Sequence, residues 1–338
     1  MRGALVITLL SVASSASAAE QPSWDAYIKA NRYACPGPFD TLKTPRELSF
    51  GGKTYKHTGY KLEVQSPNAD HKAILGLISA IKDTSGPTKA NIRAAFDWFK
   101  AQKVEWVVVN GDLALEELDM EEVLDLLASP GLPLLLILGN SESKGSFARV
   151  VAEKAAKYPN LINGVWIRQI VADGVEFWTV PGYFDKRFAR QGAGCLYKPE
   201  DIDDMAATLK PNNKLPIVLI AHGPPRGKGR TALDWIADKT NVGDEKLNEL
   251  IERKGIPFGF FGHILEAGGQ AVGEGMSTPV RPDTLVPALY INAGSLSGDP
   301  WAMNDGTTST GMAFVVTIEG NKAKYEVKHF RPKPETDE

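Results

Sequence analysis

The sequence predicts an α/β protein, and three observations lead to that class. From about Lys72 onward, short apolar runs alternate with segments of helical periodicity. The runs are rich in Val, Ile, Leu and Phe, as strands that are buried on both faces are. Polar residues also follow several runs directly, at the carboxyl end of the strand. The predicted strands are residues 73–81, 104–109, 133–138, 216–221 and 257–261.

Helices are predicted between these strands. Apolar residues recur there at three- and four-residue spacing, which gives a helix one apolar face for packing on a sheet. The segments with this pattern are residues 91–99, 121–127, 147–156 and 245–251.

The chain changes character after Ala288. Residues 288–294 and 311–330 have strand patterns, and Glu319-Gly-Asn-Lys has the composition of a tight turn between two strands. We therefore expect a second, partly antiparallel sheet from this part of the chain.

The sequence also suggests where the main domain lies. Residues 20–71 carry Pro, Gly and a short strand pattern, and we expect them to form an extension packed on the core. The core domain is predicted to span residues 72–331, and residues 332–338 form a polar tail.

Composition excludes some classes of function. The chain has 338 residues, 43% of them hydrophobic and 23% charged, which is enough apolar material for a full globular core. Its formal net charge is -3, with basic and acidic residues evenly mixed. Binding to nucleic acid or to an acidic membrane surface needs a clustered basic patch, so neither partner is expected.

The N-terminus has the pattern of a secretory signal peptide. Arg2 precedes an apolar run from Ala4 to Val12, and the small residues Ala16-Ser17-Ala18 suit cleavage. Roughly ten apolar residues are too few for a membrane anchor, since a spanning helix takes about 20. We therefore expect residues 1–19 to be removed and the protein to be exported, either to a periplasm or out of the cell.

Two cysteines, Cys35 and Cys195, would meet an oxidising compartment after export. One disulfide between them is possible, and two separate thiols are the alternative. Their spacing excludes a CxxC redox motif.

Polar residues follow the predicted strands in a regular series. Ligands of α/β sheets bind outside the carboxyl ends of the strands, so these positions are candidates for a site. Two of the five histidines in the chain belong to the series, which scattered surface histidines would rarely do. The strand-end residues are Asp112, Asn140, His222, His263 and Asn292.

This ordered series resembles the motifs of the calcineurin-like metallophosphoesterases. The similarity covers about residues 72–330 and implies a four-layer α/β/β/α sandwich, in which helices flank two mixed central sheets and two metal ions lie between the sheets. The motifs that carry it are Gly111-Asp112, Gly139-Asn140, His222-Gly223, Gly262-His263 and Asn292-Ala-Gly-Ser295.

The sequence departs from the family pattern at three motifs. Where the family has D-x-H, this chain has Ala80-Ile81-Lys82. Ser141 replaces the histidine of G-N-H-[DE], which would donate a proton to the leaving group, and a hydroxyl is a poor acid for that step. Leu265 replaces the second histidine of G-H-x-H. The resemblance thus implies that the ligands belonging only to the first metal are lost.

The resemblance implies that the second metal site is intact. Its ligands are Asp112, Asn140, His222 and His263, a reasonable set for one divalent ion of Zn, Mn or Fe. The ammonium of Lys82 would keep the net formal charge of the site unchanged after the first metal and its carboxylate are lost. Lysine binds phosphate as a point charge in other proteins.

Simpler interpretations of the same residues stay open. His222 and His263 could be buried, hydrogen-bonded core residues, and Lys82 could point to solvent. Asp83 could replace the missing first ligand. Arg226, in the basic loop of residues 223–231, could bind the anion of a substrate or could be solvated.

Three functions are compatible with these residues. The first is an exported one-metal or impaired phosphoester hydrolase, with Lys82 and Ser141 at the catalytic positions. The second is a non-catalytic family member that binds a small phosphorylated or anionic ligand. The third is an interaction protein of the cell envelope in which the cleft is vestigial.

Overall fold

A computed structural model describes residues 22–210 and 214–330. The predicted signal peptide, residues 1–19, and the polar tail, residues 332–338, lie outside these residues. None of the helices in the described ranges is both long and apolar enough to cross a bilayer. The α-helices are α1 Trp24–Ala30, α2 Gly86–Ala101, α3 Glu117–Ala128, α4 Lys144–Lys157, α5 Pro199–Thr208 and α6 Glu245–Lys254.

Strands make up the centre of the molecule. They are β1 Arg46–Phe50, β2 Lys53–Thr58, β3 Lys61–Val64, β4 Lys72–Ile78, β5 Trp106–Asn110, β6 Leu134–Ile137, β7 Leu161–Asn163, β8 Gln169–Val171, β9 Glu176–Val180, β10 Ile217–Ala221, β11 Phe258–Phe261, β12 Ala271–Val272, β13 Leu289–Asn292, β14 Trp301–Ala302, β15 Thr308–Ser309, β16 Met312–Glu319 and β17 Lys322–His329.

These strands form two large mixed sheets. The nine-stranded sheet has the order β1-β2-β3-β8-β9-β10-β11-β13-β12, and the six-stranded sheet has the order β17-β16-β4-β5-β6-β7. Within them, β4, β5 and β6 are parallel neighbours, as are β9, β10, β11 and β13. A separate two-stranded hairpin joins β14 to β15.

Side chains that alternate along each strand build the layers. Trp106 and Val108 of β5 belong to a core shared with Val218 and Ile220 of β10, so the two sheets pack face to face. The intervening Val107 faces a second core. The six-stranded sheet packs there on α2, α3 and α4, and the nine-stranded sheet packs on α5 and α6. This confirms the predicted four-layer α/β/β/α class.

Helix α6 shows how local sequence sets these elements. The Asp244 side chain accepts the backbone N–H of Lys246 and caps the first turn. Gly255 ends the helix with a φ of 61°, a left-handed conformation that glycine adopts without a Cβ clash. Leu247 and Leu250 bury the apolar face against the nine-stranded sheet.

The expected second, partly antiparallel sheet is present, but only part of the C-terminal region belongs to it. β13 lies parallel to β11 in the nine-stranded sheet. The β16–β17 hairpin instead pairs with β4 through β16 and extends the six-stranded sheet. The predicted turn does join β16 to β17, where Glu319 pairs with Lys322. The strand pattern identified the strands, but it could not show with which neighbouring strand, and in which sheet, each of them would pair.

The N-terminal extension contributes strands as well as contacts. β1, β2 and β3 continue the nine-stranded sheet, with β3 parallel to β8. Cys35 and Cys195 are joined by a disulfide, with their Cα atoms 5.4 Å apart. The extension is thereby tied to the core both by a sheet and by a covalent bond.

Candidate metal centre

Four strand ends meet at one edge of the two sheets. Asp112 follows β5 and Asn140 follows β6 in the six-stranded sheet, whereas His222 follows β10 and His263 follows β11 in the nine-stranded sheet. Since these strands are parallel within each sheet and the sheets pack face to face, the four side chains converge. The sequence series therefore gathers in one place, as expected for an α/β sheet.

The atoms that could bind a metal lie very close together. Asn140 Oδ1 is 2.8 Å from His222 Nε2 and 2.8 Å from His263 Nδ1. His222 Nε2 is 3.4 Å from Asp112 Oδ1. Within the described residues, Asp112, His222 and His263 form a group whose ligand atoms all lie within 4.8 Å of one another.

Surrounding hydrogen bonds point lone pairs into this cluster. His222 Nδ1 is 2.8 Å from the carbonyl oxygen of Asn110, and because a carbonyl only accepts, Nδ1 carries a proton. The Asn140 amide donates to the carbonyl of Phe188 at 2.7 Å, which turns its oxygen inward. In the tautomer with its proton on Nδ1, His222 Nε2 and Asn140 Oδ1 face each other as two acceptors.

This arrangement fits a metal ion. Metal–ligand bonds of about 2.0 to 2.2 Å place neighbouring ligand atoms roughly 2.8 to 3.6 Å apart. The three distances above lie in that range, and two imidazoles, a carboxylate and an amide oxygen suit a divalent transition metal. The residues that would hold it are Asp112, Asn140, His222 and His263. The partner of His222 Nδ1 is the kind of second contact that fixes a ligating histidine.

Two glycines permit the close approach of the strands. A Cβ on Gly139 would lie 2.3 Å from Asp112 Oδ1, and a Cβ on Gly111 would lie 2.6 Å from His222 Nδ1. Gly111 also has a φ of 83°, which L-residues rarely adopt. The glycines of these motifs are therefore required by the geometry of the ligands beside them.

Backbone strain is concentrated at the same strand ends. Asp112 and His263 have φ values of 55° and 64° without being glycine, and Ala80 and Lys82 have values of 46° and 70°. Each such residue costs about 1 to 3 kcal/mol and persists only where the surrounding structure fixes it, most often at functional sites.

Charges at the cluster shift the pKa values of its members. Burial raises the pKa of Asp112, but His222, His263 and the hydrogen bonds from Ser141 together outweigh burial and hold that pKa below its usual range. Burial lowers the pKa of His263 to about 3, with His222 and the Lys82 ammonium acting in the same direction. Burial and the Asp112 charge raise the pKa of Glu142 to about 8. His263 is thus held in its neutral form, which is the form that binds a metal.

Glu142 connects the two loops of the six-stranded sheet. Its carboxyl group accepts the backbone N–H of Leu113 at 2.5 Å and that of Gly139 at 3.0 Å. Leu113 follows Asp112 and Gly139 precedes Asn140, so the fully buried carboxyl group holds the two oxygen ligands in register.

Other residues occupy the positions of the D-x-H motif and of the second histidine of G-H-x-H. Ala80 and Leu265 are buried. Lys82 is half-buried, its ammonium 4.8 Å from the ring centre of Trp301. The backbone N–H groups of Ile81 and Lys82 both donate to the Asp112 carbonyl, at 2.9 and 3.2 Å. The Lys82 backbone is thus attached to the Asp112 loop, and its charge acts on His263.

Three other sequence-derived positions have clear partners. Asp83 accepts from the Ser85 backbone N–H at 2.8 Å and from the Ser297 hydroxyl at 3.2 Å, so its carboxylate is used by the loop before α2. Ser141 donates its backbone N–H to Asp112 Oδ1 at 3.2 Å. Arg226 Nε lies 3.6 Å from Glu245 Oε1, at an exposed position near the start of α6, and substrate binding by Arg226 stays a prediction.

Sequence reasoning missed several residues around the cluster. Tyr183 stacks on His263 with ring centres 4.0 Å apart, and the Phe188 ring is 5.9 Å away from it. Asn110 donates its amide to the carbonyls of Ala221 and Phe260, bridging the two sheets. A signal existed only for Asn110, a polar residue at the end of an apolar run.

The fold and this cluster together define an α/β sandwich protein with a candidate metal-binding site between its two sheets. The calcineurin-like phosphoesterase family matches residues 85–267, more than half of the 338-residue chain, and the chain belongs to that family. A search of curated proteins found no significant match to this sequence.

Solved structures share the fold at low sequence identity. One aligns with 77% of this chain and 100% of its own, at 15% identity and a TM-score of 0.56. The protein TT1561 of Thermus thermophilus aligns with 77% of this chain and 99% of its own, at 11% identity and a TM-score of 0.52. A dimetal phosphatase from Danio rerio covers the same shares at 10% identity and a TM-score of 0.49.

Proposed function

We propose that this protein is a one-metal member of its family that binds a small phosphorylated ligand and hydrolyses it slowly. Asp112, Asn140, His222 and His263 hold one divalent ion, which supplies Lewis acidity and positive charge for a phosphate oxygen. Lys82 supplies the second positive charge. The observation that carries this proposal is the convergence of His222 Nε2 and His263 Nδ1 on Asn140 Oδ1, each at 2.8 Å.

The residues around the proposed metal would have separate roles. The neutral form of His263 keeps its lone pair available for an ion, since burial holds its pKa at about 3. The Lys82 ammonium is held near His263 and is only half-buried, so it can also meet a ligand anion. Asn110 fixes the tautomer of His222 through its carbonyl.

Binding without turnover is the second candidate, and Ser141 favours it. The family histidine that protonates the leaving group is replaced here by a hydroxyl, which hydrogen-bonds the Asp112 carboxylate. A serine hydroxyl is a far weaker acid than a protonated histidine and is therefore a poor proton donor to a leaving alkoxide. Metal-dependent release of phosphate from an aryl phosphate, with Zn or Mn added, separates slow hydrolysis from binding alone.

The test of the charge replacement is Lys82→Ala. The variant should keep its metal content and weaken the binding of inorganic phosphate or vanadate by about 1 to 3 kcal/mol, roughly 5- to 150-fold, because a charged hydrogen bond is lost. Calorimetric titration of metal-loaded protein measures it. Lys100→Ala on the exposed end of α2 is the matched control, and Arg226→Ala should show a smaller loss than Lys82→Ala. Equal affinity in wild type and Lys82→Ala would exclude this role.

Export is part of the same proposal. The leader-like residues 1–19 support it, and the disulfide between Cys35 and Cys195 supports an oxidising compartment. N-terminal sequencing of protein expressed in its own cells should find a mature chain that begins near Ala19 or Glu20. A chain retaining Met1 in the cytoplasmic fraction would contradict export.

A further inference from the structure

Exposed apolar side chains cluster near the candidate metal centre. Seven large apolar side chains are exposed among the described residues. Three of them lie close to residues of the site: Leu115 on the loop after Asp112, Phe188 against His263, and Trp301 beside Lys82. Leu115 lies three residues after Asp112, and its carbonyl accepts Arg190 Nη1 at 2.5 Å. Single exposed apolar residues need no explanation, but a group around one polar site indicates contact with a ligand.

Phe188 is held in position beside a ligand residue. Its carbonyl accepts the Asn140 amide at 2.7 Å, and its ring packs edge-to-face on His263, 5.9 Å between ring centres. The Arg187 guanidinium lies 5.6 Å from the Phe188 ring centre and is itself fixed by Asp185. The ring is nevertheless 52% exposed, so one surface of a fixed aromatic group remains open.

Trp301 is held in position by a different loop. The β14–β15 hairpin is anchored through Asn304, whose backbone N–H donates to Glu266 at 2.9 Å and whose amide donates to Trp235 at 2.7 Å. Glu266 lies three residues after His263. The Trp301 ring is 40% exposed and lies beside the Lys82 ammonium. Trp301 therefore lies next to the predicted phosphate-binding charge.

Charge and apolar surface are thus combined around His263 and Lys82. The metal ligands and Lys82 suit a phosphate group, whereas Phe188 and Trp301 offer flat, uncharged surface to whatever is attached to that phosphate. Two fixed aromatic rings favour a planar partner, because offset stacking and edge-to-face contacts add to the burial of apolar area. An alkyl chain attached to the phosphate would gain affinity only from the burial of apolar area.

We propose that Phe188 and Trp301 are specificity-determining residues, and that the ligand is a phosphoester whose alcohol portion carries an aromatic ring. The inference rests on the proposed function, because it assumes that the metal and Lys82 bind the phosphate. It adds the chemical class of the other half of the ligand.

The experiment compares two phosphonates that cannot be hydrolysed, so that turnover does not matter. Calorimetry on metal-loaded protein gives the affinity of benzylphosphonate relative to that of methylphosphonate. Stacking on one ring is worth about 2- to 10-fold in affinity, so wild type should prefer the aryl compound by about 5- to 50-fold. Phe188→Ala and Trp301→Ala should each reduce this ratio by about 2- to 10-fold.

Further variants separate stacking from other effects. Phe188→Leu keeps apolar bulk without a flat ring and should lower the ratio nearly as far as Phe188→Ala. Leu285→Ala removes another exposed apolar side chain and should leave the ratio unchanged. Trp301→Ala can also release Lys82, which would weaken both phosphonates equally and cancel in the ratio.

The outcomes distinguish this inference from the function on which it rests. A ratio near one in wild type, with methylphosphonate still bound, overturns the aromatic specificity and leaves the proposed function intact. A ratio that Phe188→Leu retains in full means that apolar burial alone selects the ligand, which also overturns it. If neither phosphonate nor inorganic phosphate binds the metal-loaded protein, the proposed function fails and this inference fails with it.

Discussion

Two buried histidine sites in this protein differ in what their ring nitrogens face. His57 of β2 and the pair of His222 and His263 are all largely removed from water. At His57, Arg46 Nε donates to Nδ1 at 2.9 Å, and Nε2 lies 2.9 Å from the Gly59 carbonyl, to which it donates. Each nitrogen of the neutral His57 ring therefore has the partner that it needs.

The two strand-end histidines have different partners. His222 Nε2 and His263 Nδ1 both approach Asn140 Oδ1, which is an acceptor. The Asn140 side chain is held in this orientation because its amide donates to the Phe188 carbonyl. Burial lowers the pKa of His57 to about 4 and that of His263 to about 3, so low pKa values are common to both environments. What separates a structural histidine from a candidate ligand is the chemistry of its partners.

The largest expected effect is the loss of metal from the strand-end site. His222→Ala or His263→Ala should lower the metal content of the purified protein from about one equivalent toward zero, because each removes one of two imidazole ligands. Elemental analysis after incubation with Zn or Mn and dialysis measures the content. His329→Ala, an exposed histidine of β17, is the matched control and should keep the metal. A metal content of two equivalents in wild type would contradict a one-metal site. A content of zero would contradict the distinction between His57 and the strand-end histidines.

A smaller change is expected when the family pattern is restored beside this site. Ala80→Asp, Lys82→His, Ser141→His and Leu265→His together should raise the metal content from about one toward two and increase the rate of phosphate release. The added side chains supply the missing ligands for a second ion. A content that stays at one in folded protein, judged by circular dichroism, would mean that the buried Ala80 and Leu265 have closed the place of the first metal.

The smallest expected effect concerns the stability that His57 provides. Burial and the Arg46 guanidinium lower its pKa to about 4, and the unfolded chain has the ordinary value of about 6.5. The contribution is complete above pH ~6.5 and is lost as the pH falls toward ~4, because only the unfolded state then binds the proton. Between pH ~7 and ~5 the loss is about 2 kcal/mol.

Urea unfolding of wild type and His57→Gln at these two pH values measures this loss. Other groups titrate equally in both proteins, so the stability advantage of wild type should narrow by about 2 kcal/mol on acidification. Asp25, 3.8 Å from Arg46, is exposed and should contribute little to the difference. An advantage that does not depend on pH would show that His57 is not held neutral. The metal content of His57→Gln should equal that of wild type.

Some features of the candidate site could be predicted from local sequence. Asp112, Asn140, His222 and His263 each end an apolar run, and the carboxyl ends of parallel strands share an edge of a sheet. Periodicity alone was therefore enough to identify the buried strands and the order of their polar ends. The replacements at Ala80 and Leu265 could be identified only through the resemblance, since it is the family motifs that place ligands at these positions.

Other features depend on contacts between distant residues. Phe188 lies in a loop and Trp301 in a hairpin whose sequences carry no signal of an adjacent site, and their contacts with Asn140, His263 and Lys82 come from the tertiary structure. The placement of β13 and β16 in different sheets likewise depended on which edges were free, which a strand pattern does not encode.

The sequence by itself determined the α/β class and the order of the polar residues at the strand ends, because these follow from period, residue type and position along the chain. The loss of the first-motif ligands was implied by the resemblance to the family. Only the tertiary structure decided that the lone pairs of His222 and Asn140 face each other, that His57 is satisfied, and that two aromatic rings lie beside His263. Those properties are set by the direction of side chains brought together across more than 100 residues of sequence, as the contact of Asn110 with His222 shows. A hydrogen bond depends on distances of tenths of an ångström, and packing between the two sheets fixes them.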